Sequence, residues 1–496
     1  MKKIMTKIGK TIAFLMILVT VLAGVNAILI PKTYINNATW PSTSKFNQFY
    51  EMDKNSVDVL FIGSSVAANA FSPQEIYDSY GIRSYNLASQ QQSVFFNYYW
   101  LKEALKTQSP KVVVMDSKFL FTLHPENPVN TTEGIGREIV DNMHWSKNKI
   151  DMINALTDLD DSQSKLSYFL TNIRYHSRWT ELDESDFNLS LSEEDLLKGQ
   201  SVITSYGDDS YTPFAPEDKE IRAKLDPVME EYFGKIVELC QENNTQLMLV
   251  SLPDVMTDAM NNRLIDLAGQ YGINYYNFCT VDSYNAIGAQ LPKENVVEHE
   301  NIWGAIKMSR YVASILQSDY GVEAVSDRQW DETSAYYKHL LNIAELQHIE
   351  NLDEYLAILK SDVDYVTFIS VKDDGFRFIT DEQVALLNSL GLQAPFKDMF
   401  RYSYCGIVDN SNGNIEELSP DEVITINGNI LESDAIYEMT SGGGNAGVEC
   451  GIVINGTNFE INSVGLNIVV YDRLSKDVVD QVCFYTDEHG PYCKRF

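Results

Sequence analysis

The N-terminal segment and the region that follows it differ in their pattern of apolar and polar positions. Thr11–Ile30 is an apolar run without a charged residue, and about 20 apolar residues can cross the ~30 Å hydrocarbon layer as a helix. From residue 57 to about 320, short apolar runs alternate with amphipathic stretches. The predicted strands are Val57–Ile62, Ser84–Leu87, Lys111–Met115, Gln246–Leu252 and Ile273–Phe278, and the predicted helices are Pro73–Tyr80, Val94–Lys106, Pro227–Asn243, Met260–Tyr271 and Trp303–Gln317. Apolar strands separated by helices predict an α/β domain, with a parallel sheet flanked by helices.

The domain boundaries follow from changes in this pattern. Within the α/β domain, the polar stretch at about 117–225 interrupts the alternation of strands and helices. We interpret it as an insertion or lid over the strand ends, where the sites of α/β proteins lie. After Arg401 the chain becomes rich in β-branched residues, Gly and Asn, which predicts an α+β or mainly β domain. The predicted organisation is an anchor at 1–31, a polar stalk at 32–56, the α/β domain at 57–325, and a second domain with a helical lead-in at 326–496.

The composition predicts folded domains with an acidic surface. The 496 residues include 70 acidic and 38 basic side chains, a formal net charge of −32. Such a surface repels phosphate backbones, which argues against nucleic-acid binding. No CxxC or zinc-ligand pattern occurs, and we expect no metal and no cofactor. The last four cysteines could form two disulfides, and the sequence leaves all three pairings open: Cys405, Cys450, Cys483 and Cys493.

The N-terminus predicts the compartment. Four lysines precede the apolar run and only Lys32 follows it closely, so the N-terminus is expected in the cytoplasm and the globular domains outside the cell. The chain would then be a single-pass membrane protein. The alternative is a cleaved signal peptide and secretion, because Val25-Asn26-Ala27 meets the small-residue rule for cleavage.

Two short motifs carry the candidate chemistry. The first apolar strand runs into Gly63-Ser64-Ser65, which places a hydroxyl at the carboxyl edge of the sheet, beside helix N–H groups that stabilise an oxyanion. A serine in such a turn can also be a simple helix N-cap. The second motif, His299-Glu-Asn-Ile-Trp-Gly-Ala-Ile-Lys-Met-Ser309, opens the last predicted helix. A lone histidine is more often structural, but this run is more specific than a lone histidine.

Together the two motifs resemble those of the SGNH (GDSL-type) hydrolases and acyltransferases. Tyr85-Asn-Leu-Ala-Ser-Gln90 is similar to the second block of that family, and the resemblance covers about residues 55–320. It implies that Ser65 is the nucleophile and His299 the general base. It also implies an oxyanion hole formed by the backbone N–H groups of Ser65 and Ala88, with a side-chain donor from Asn86, Gln90, Gln91 or Ser89.

The sequence departs from the family pattern at three positions. Val296 occupies the position of the usual aspartate, three residues before the histidine, and nearby carboxylates such as Glu294 and Glu298 do not have the expected offset. Ala88 replaces the glycine of the second block, and Asp116-Ser117-Lys118 replaces the expected Asn block. An active Ser–His dyad, a triad completed by Glu298 or Glu294, and a degenerate site therefore all remain open.

Two further regions suggest binding to sugars. The cluster Arg174-Tyr-His176-Ser-Arg178-Trp179 combines groups that suit a glycan, although an anchor for the insertion is the alternative. Toward the C-terminus, Gly442–Gly447 and Gly465-Leu-Asn-Ile-Val-Val-Tyr-Asp472 resemble the interleukin-like EMT-inducer (PANDER-like) domain. That resemblance covers about 360–486 and implies a non-catalytic glycan-binding or scaffolding module.

These features predict an extracytoplasmic serine-dependent esterase or O-acyltransferase that acts on O-acyl groups of a cell-surface glycan. The anchor followed by an SGNH-like domain also resembles DltD-type proteins of the cell envelope. That resemblance implies a membrane-bound O-acyltransferase as partner. The alternative is a catalytically inactive, membrane-anchored glycan-binding or scaffold protein.

Overall fold

The chain forms two compact units, Met1–Tyr337 and Lys338–Phe496, each with its own hydrophobic clusters. The computed structural model describes residues 2–34, 40–187, 196–207, 212–296, 298–487 and 490–495. The boundary falls later than the predicted 325/326. The reason is that Trp330, beyond the predicted boundary, packs its ring against Tyr77 of the first unit, with centroids 5.4 Å apart.

A five-stranded parallel sheet lies at the centre of the first unit, as the sequence predicted. Its strand order is β2-β1-β3-β4-β5, and every pairing is parallel. This order reverses direction at β1, and ligands of open α/β sheets bind at such switch points, beyond the carboxyl ends of the strands. The strands are β1 (Val59–Ile62), β2 (Ser84–Asn86), β3 (Val112–Asp116), β4 (Gln246–Ser251) and β5 (Asn274–Asn277).

Helices cover both faces of this sheet. Along β1, Leu60 and Ile62 belong to one buried apolar cluster, and Val59 and Phe61 belong to another on the opposite face. This alternation explains why the strand is apolar at every position. The helices are α1 (Lys2–Leu29), α2 (Ser42–Glu51), α3 (Ser65–Ala70), α4 (Pro73–Tyr80), α5 (Val94–Ala104), α6 (Glu133–Asp141), α7 (Lys147–Leu159), α8 (Lys165–Phe169), α9 (Asn172–Tyr175), α10 (Pro227–Glu242), α11 (Asp258–Tyr271), α12 (Val281–Ile287), α13 (Ile302–Ser318) and α14 (Arg328–Leu346).

The N-terminal helix α1 is apolar and largely exposed. Within it, Lys7–Leu29 has a mean hydropathy of 2.6 over its most apolar stretch and is long enough to cross a membrane. The segment predicted as a polar stalk instead contains α2, which is folded onto the α/β unit. Phe46 and Phe49, three residues apart, are buried in the cluster beside Trp100. The spacing of these aromatic residues on one helix face is the physical reason for the difference.

The predicted insertion consists of two parts with different surroundings. Residues 196–207 lie beside the ends of β1 and β2, where the Asn86 N–H donates to the Lys198 carbonyl (2.9 Å) and the Ser201 N–H to the Ala68 carbonyl (2.9 Å). The earlier part forms α6–α9 and two 3₁₀ helices, His176–Thr180 and Glu184–Phe187, and packs against α5 and α1. Residues 196–207 therefore lie near the strand ends, as the lid interpretation required, whereas α6–α9 do not form a lid over them.

The second unit is mainly β, in agreement with the predicted class. Helices α15 (Leu352–Ser361) and α16 (Asp381–Ser389) accompany a large mixed sheet in which β8 pairs with β15 in an antiparallel register. All six cysteines are unpaired, which differs from the two disulfides allowed by the sequence. The strands are β8 (Tyr365–Asp373), β9 (Ser403–Asp409), β10 (Ile415–Ser419), β11 (Ile424–Asn429), β12 (Ile436–Gly443), β13 (Cys450–Ile454), β14 (Thr457–Asn458), β15 (Gly465–Asp472), β16 (Asp477–Asp487) and β17 (Gly490–Lys494).

Candidate active site

The turn between β1 and α3 presents one of its two serines and buries the other. Ser64 is 1% exposed, and its hydroxyl and backbone N–H donate to Asp116 Oδ2 at 2.5 and 3.0 Å. Ser65, the first residue of α3, remains partly exposed. Its backbone N–H has no hydrogen-bond partner in the described part of the chain, as expected in the first turn of a helix.

Gly63 is required for the close approach of this turn to β3. Its φ of +151° lies in a region that side chains disfavour, and an added Cβ would lie 2.6 Å from Asp116 Cβ. Asp116 ends β3 beside β1, so the parallel register places its carboxylate under the turn. Burial raises the pKa of Asp116, although the hydrogen bonds from Ser64 and the Lys118 N–H oppose this effect.

The structure brings Ser65 and His299 together although they are 234 residues apart. His299 Nε2 lies 2.9 Å from Ser65 Oγ, a distance suited to a hydrogen bond. His299 lies in a short antiparallel hairpin of β6 (Asn295–Val296) and β7 (His299–Glu300), in which Val296 pairs with His299. The Trp40 ring packs against the imidazole, with centroids 5.5 Å apart.

Asn301 and the start of α13 fix this hairpin. The Asn301 side chain caps α13 by accepting from the Gly304 N–H (3.2 Å), and it donates to the carbonyls of Ser205 (3.0 Å) and Lys293 (2.8 Å). An added Cβ at Gly304 would lie 2.1 Å from Glu300 Oε2. In the pattern His-Glu-Asn-Ile-Trp-Gly, the asparagine and the glycine thus each have a structural cause.

The carboxylates predicted as possible acids have other partners. Glu294 accepts from Lys307 Nζ (2.7 Å) and from the Gln290 N–H (2.7 Å). Glu298 adopts a φ of 65° in the hairpin turn, and its carboxylate lies 3.4 Å from Lys118 Nζ. Burial and the neighbouring Asp254 raise the pKa of Glu298.

The predicted oxyanion residues differ in what they can offer. Asn86 is fully buried and donates to the carbonyls of Ala67 (2.9 Å) and Phe71 (3.0 Å). Its Oδ1 accepts from the Ala88 N–H at 3.1 Å, so this N–H already has a partner. Asn86 therefore orders α3 rather than facing the site, whereas Gln90 remains partly exposed.

The other two candidates in this block have partners of their own. The Ser89 hydroxyl lies 3.0 Å from that of Ser42, and Gln91 Oε1 accepts from Thr132. The segment around α2 also contributes Lys45, whose buried ammonium donates to the Ala88 carbonyl at 2.5 Å. Sequence reasoning missed Trp40 and Lys45, because these residues precede the first strand and carry no motif.

The cluster at 174–179 is divided between ion pairs and open surface. Arg174 pairs with Glu133 (2.9 Å), and Arg178 donates to both oxygens of Asp186 (3.0 Å each). His176 lies exposed with its Nδ1 3.1 Å from the Ile173 carbonyl. Trp179 is 71% exposed. The two arginines thus have the partners expected of an anchor for the insertion.

Among the described residues, the second unit contains one group of side chains of the types that bind metal ions. Donor atoms of His339, Asp362 and Asp364 lie within 4.8 Å of one another. His339 bonds through Nδ1 to Asp362 Oδ2 (2.5 Å) and through Nε2 to Asp472 Oδ1 (3.1 Å). With a carboxylate at each ring nitrogen, the imidazolium itself is the cation of this group, and metal binding would have to displace it.

Comparison with solved structures gives a weak likeness of fold. No protein-family model matches the chain, and no curated protein matches it. The crystal structure of a "putative acylhydrolase" from Bacteroides fragilis matches with 12% sequence identity and a TM-score of 0.27, over 55% of this chain and 94% of that one. A likeness at this level says nothing about the chemistry of the site.

Proposed function

We propose that this protein is a membrane-anchored, serine-dependent esterase or O-acyltransferase of the SGNH type that acts on O-acyl groups of a cell-surface glycan. The observation that carries the proposal is the 2.9 Å contact between Ser65 Oγ and His299 Nε2. A serine and a histidine within hydrogen-bond reach are the minimal arrangement for nucleophilic catalysis through an acyl-enzyme.

Ser65 is the nucleophile of the pair because its neighbour is already engaged. The Ser64 hydroxyl is buried against Asp116. Ser65 begins α3, where its own N–H is available and the helix N-terminus favours negative charge. An oxyanion formed at a carbonyl attacked by Ser65 would accept from this N–H, and the Gln90 side chain is the candidate for a second donor.

The proposed reaction proceeds in two half-reactions. His299 Nε2 takes the proton as Ser65 Oγ attacks the acyl carbonyl, and it returns that proton to the departing alkoxide when the ester bond breaks. The acyl group is then attached to Ser65. Water, or a sugar hydroxyl, gives its proton to His299 as it attacks the acyl carbonyl. The bond to Ser65 Oγ then breaks, His299 returns the proton to that oxygen, and the free acid or a new ester leaves.

Location and partners form part of the same proposal. The apolar helix α1 would anchor the chain, with the globular units outside the cytosol and a membrane-bound O-acyltransferase as partner. The second unit, through its resemblance to the interleukin-like EMT-inducer domain, would bind glycan without catalysis.

A fluorophosphonate probe tests the nucleophile directly. We expect the probe to label the full chain and to leave Ser65→Ala unlabelled. In His299→Ala the rate of labelling should be at least about tenfold lower. Ser64→Ala is the matched control, because it removes the adjacent hydroxyl and should leave labelling at Ser65. Labelling that persists in Ser65→Ala would contradict the proposal.

The second candidate function is an inactive glycan-binding scaffold. The observation in its favour is Val296, which pairs with His299 where the family carries an aspartate. Loss of an orienting carboxylate costs orders of magnitude in comparable triads. Folded protein that retains polysaccharide in a pulldown, but does not react with the probe, would support this function instead.

A further inference from the structure

The insertion presents an unusual amount of apolar surface around the end of α1. Residues 165–187 form short helices in which six large apolar side chains are exposed, although Tyr168 and Tyr175 are buried. A nearby indole, that of Trp145, is 56% exposed and stacks on Phe169 with ring centroids 5.5 Å apart. The exposed side chains of the segment are Leu166 (57%), Phe169 (40%), Leu170 (42%), Ile173 (44%), Trp179 (71%) and Phe187 (59%). We call these residues and Trp145 the collar.

Polar contacts tie the collar to the C-terminal end of α1. Arg178 donates to the Leu29 carbonyl (2.8 Å), and Asn26 Oδ1 accepts from the Asn172 N–H (3.0 Å). Lys32 Nζ donates to the Ala27 carbonyl (2.8 Å) and to the Asp186 carbonyl (2.8 Å). The last carbonyls of α1 are thus capped by cations from within the insertion and just after the helix. The collar is therefore held at the end of α1.

A cavity of about 710 Å³ lies between α1 and the insertion. Ala23, Ala27 and Ile30 line it from α1 and the residue that follows, and Trp145 and Phe169 line it from the collar. Polar and charged side chains such as Asn142, His144 and Lys149 line the rest. At 1.5 Å per residue, Ala23 lies about 9 Å before Leu29 along the helix axis. The cavity thus lies along the last two turns of α1, at the C-terminal end of this apolar helix. Its volume is in the range of sites that hold a small amphiphilic molecule.

We propose that the collar is seated in the leaflet that surrounds the C-terminal end of α1, and that a lipid from this leaflet fills the cavity. This inference rests on the membrane anchoring in the proposed function. Exposed apolar side chains continuous with an apolar helix fit hydrocarbon, and indole rings prefer the interface between hydrocarbon and water. The insertion would then fix the height of the α/β unit above the bilayer.

Tryptophan fluorescence tests the proposal in the full chain. The protein is reconstituted into nanodiscs of phosphatidylcholine and phosphatidylglycerol, either ordinary or with brominated acyl chains, because bromine quenches indoles that touch it. We expect bromination to quench part of the emission of the six tryptophans. At least half of the quenched part should be lost in Trp145→Phe/Trp179→Phe, whereas the control Trp303→Phe should retain it.

Two results would overturn the proposal. One is nanodisc-bound protein whose emission is the same in brominated and ordinary lipid, which would mean that a protein partner or water covers the collar. The other is equal quenching in wild type and Trp145→Phe/Trp179→Phe. As a second variant, Leu166→Glu/Ile173→Glu changes only exposed side chains and should lower quenching by at least half. Fluorophosphonate labelling of the same samples reports on Ser65 separately, so failure of the collar and failure of the catalytic proposal are distinguishable.

Discussion

The buried imidazole of His339 predicts a pH-dependent stability of the second unit. It is 6% exposed and has a carboxylate at each ring nitrogen, Asp362 and Asp472. Burial alone would lower the pKa of His339, but the hydrogen bonds and charges of the two carboxylates outweigh burial and raise it to about 9. The folded unit therefore holds a proton on this ring that the unfolded chain releases near pH 6.5.

The sign and size of the effect follow from that difference. Because the folded-state pKa is raised, the stabilisation is complete below pH 6.5 and is lost as the pH rises through about 9. A rise in pKa from 6.5 to about 9 corresponds to about 3 kcal/mol of unfolding free energy, at about 1.4 kcal/mol per pH unit. The pKa values of Asp362 and Asp472 are lowered despite their burial, so their contributions are lost only in acid, outside this window.

Thiol protection measures the unfolding of this unit within the full chain. Cys405 and Cys483 are buried in its β strands, so a short alkylation pulse during a urea titration, read by mass spectrometry, reports the unfolded fraction. We expect the urea midpoint of the wild type to decrease as the pH rises from 6.5 to 8, and that of His339→Gln to remain nearly constant over this range. The buried thiols, whose pKa burial also raises, lower the midpoint of both proteins only closer to pH 9. His348→Gln, a histidine change in the same unit, is the control and should follow wild type.

Two results would refute this reasoning. A wild-type midpoint that is constant or rises between pH 6.5 and 8 would mean that His339 is not held as the cation. The same loss in His339→Gln as in wild type would assign the pH dependence to another group.

Two further predictions concern the first unit, which contains all six tryptophans and whose unfolding is followed by their fluorescence. Gly63→Ala should lower the unfolding free energy by about 1–3 kcal/mol and slow probe labelling, because the added Cβ would contact Asp116 and the backbone has a positive φ. The control Gly269→Ala, in a helix with open space around it, should leave the unfolding free energy unchanged or raise it. Glu300→Gln should stabilise the unit by up to about 4 kcal/mol near pH 8 and not at all below pH 4.5. Burial and the neighbouring Glu294 raise the pKa of Glu300 to about 8, although the charge of Lys307 opposes them, so the wild type loses stability as the pH rises from 4.5 to 8, and a gain that is the same at every pH would contradict this.

The sequence was a good guide where the periodicity of a segment alone determines its structure. The central strands are apolar at consecutive positions because both of their faces are covered, and their predicted and observed bounds differ by two residues or fewer. The five helices predicted for the α/β domain have equally accurate bounds, since their apolar faces and their caps, such as Asp226 before Pro227, are local signals. The parallel arrangement of the strands followed from the alternation of strands and helices along the chain.

Long-range contacts without a local signal were not predictable in the same way. Trp40 and Lys45 reach the site from a segment whose sequence resembles a linker. Nothing in the sequence around Lys45 distinguishes a buried lysine that donates to a carbonyl from an exposed one. The ion pair between Arg178 and Asp186 turns a cluster that suits sugars into an anchor for the insertion. The free state of the cysteines was not predictable either, because disulfide formation depends on the distance between two thiols in the fold.

The departure from the family pattern at Asp116 is part of what distinguishes the two serines. An aspartate at the end of β3 places a carboxylate under the turn, and the Ser64 hydroxyl and N–H both donate to it. The Ser64 hydroxyl is a poor nucleophile in this arrangement, because it donates its proton to Asp116 and the side chain is buried. The bond from the Ser64 backbone N–H, which does not depend on the side chain, fixes the turn, and the next hydroxyl, on Ser65, lies 2.9 Å from His299 Nε2. Asp116 thus leaves the Ser65–His299 pair intact, and under the proposed function the position that bears on activity is Val296, opposite His299 in the hairpin.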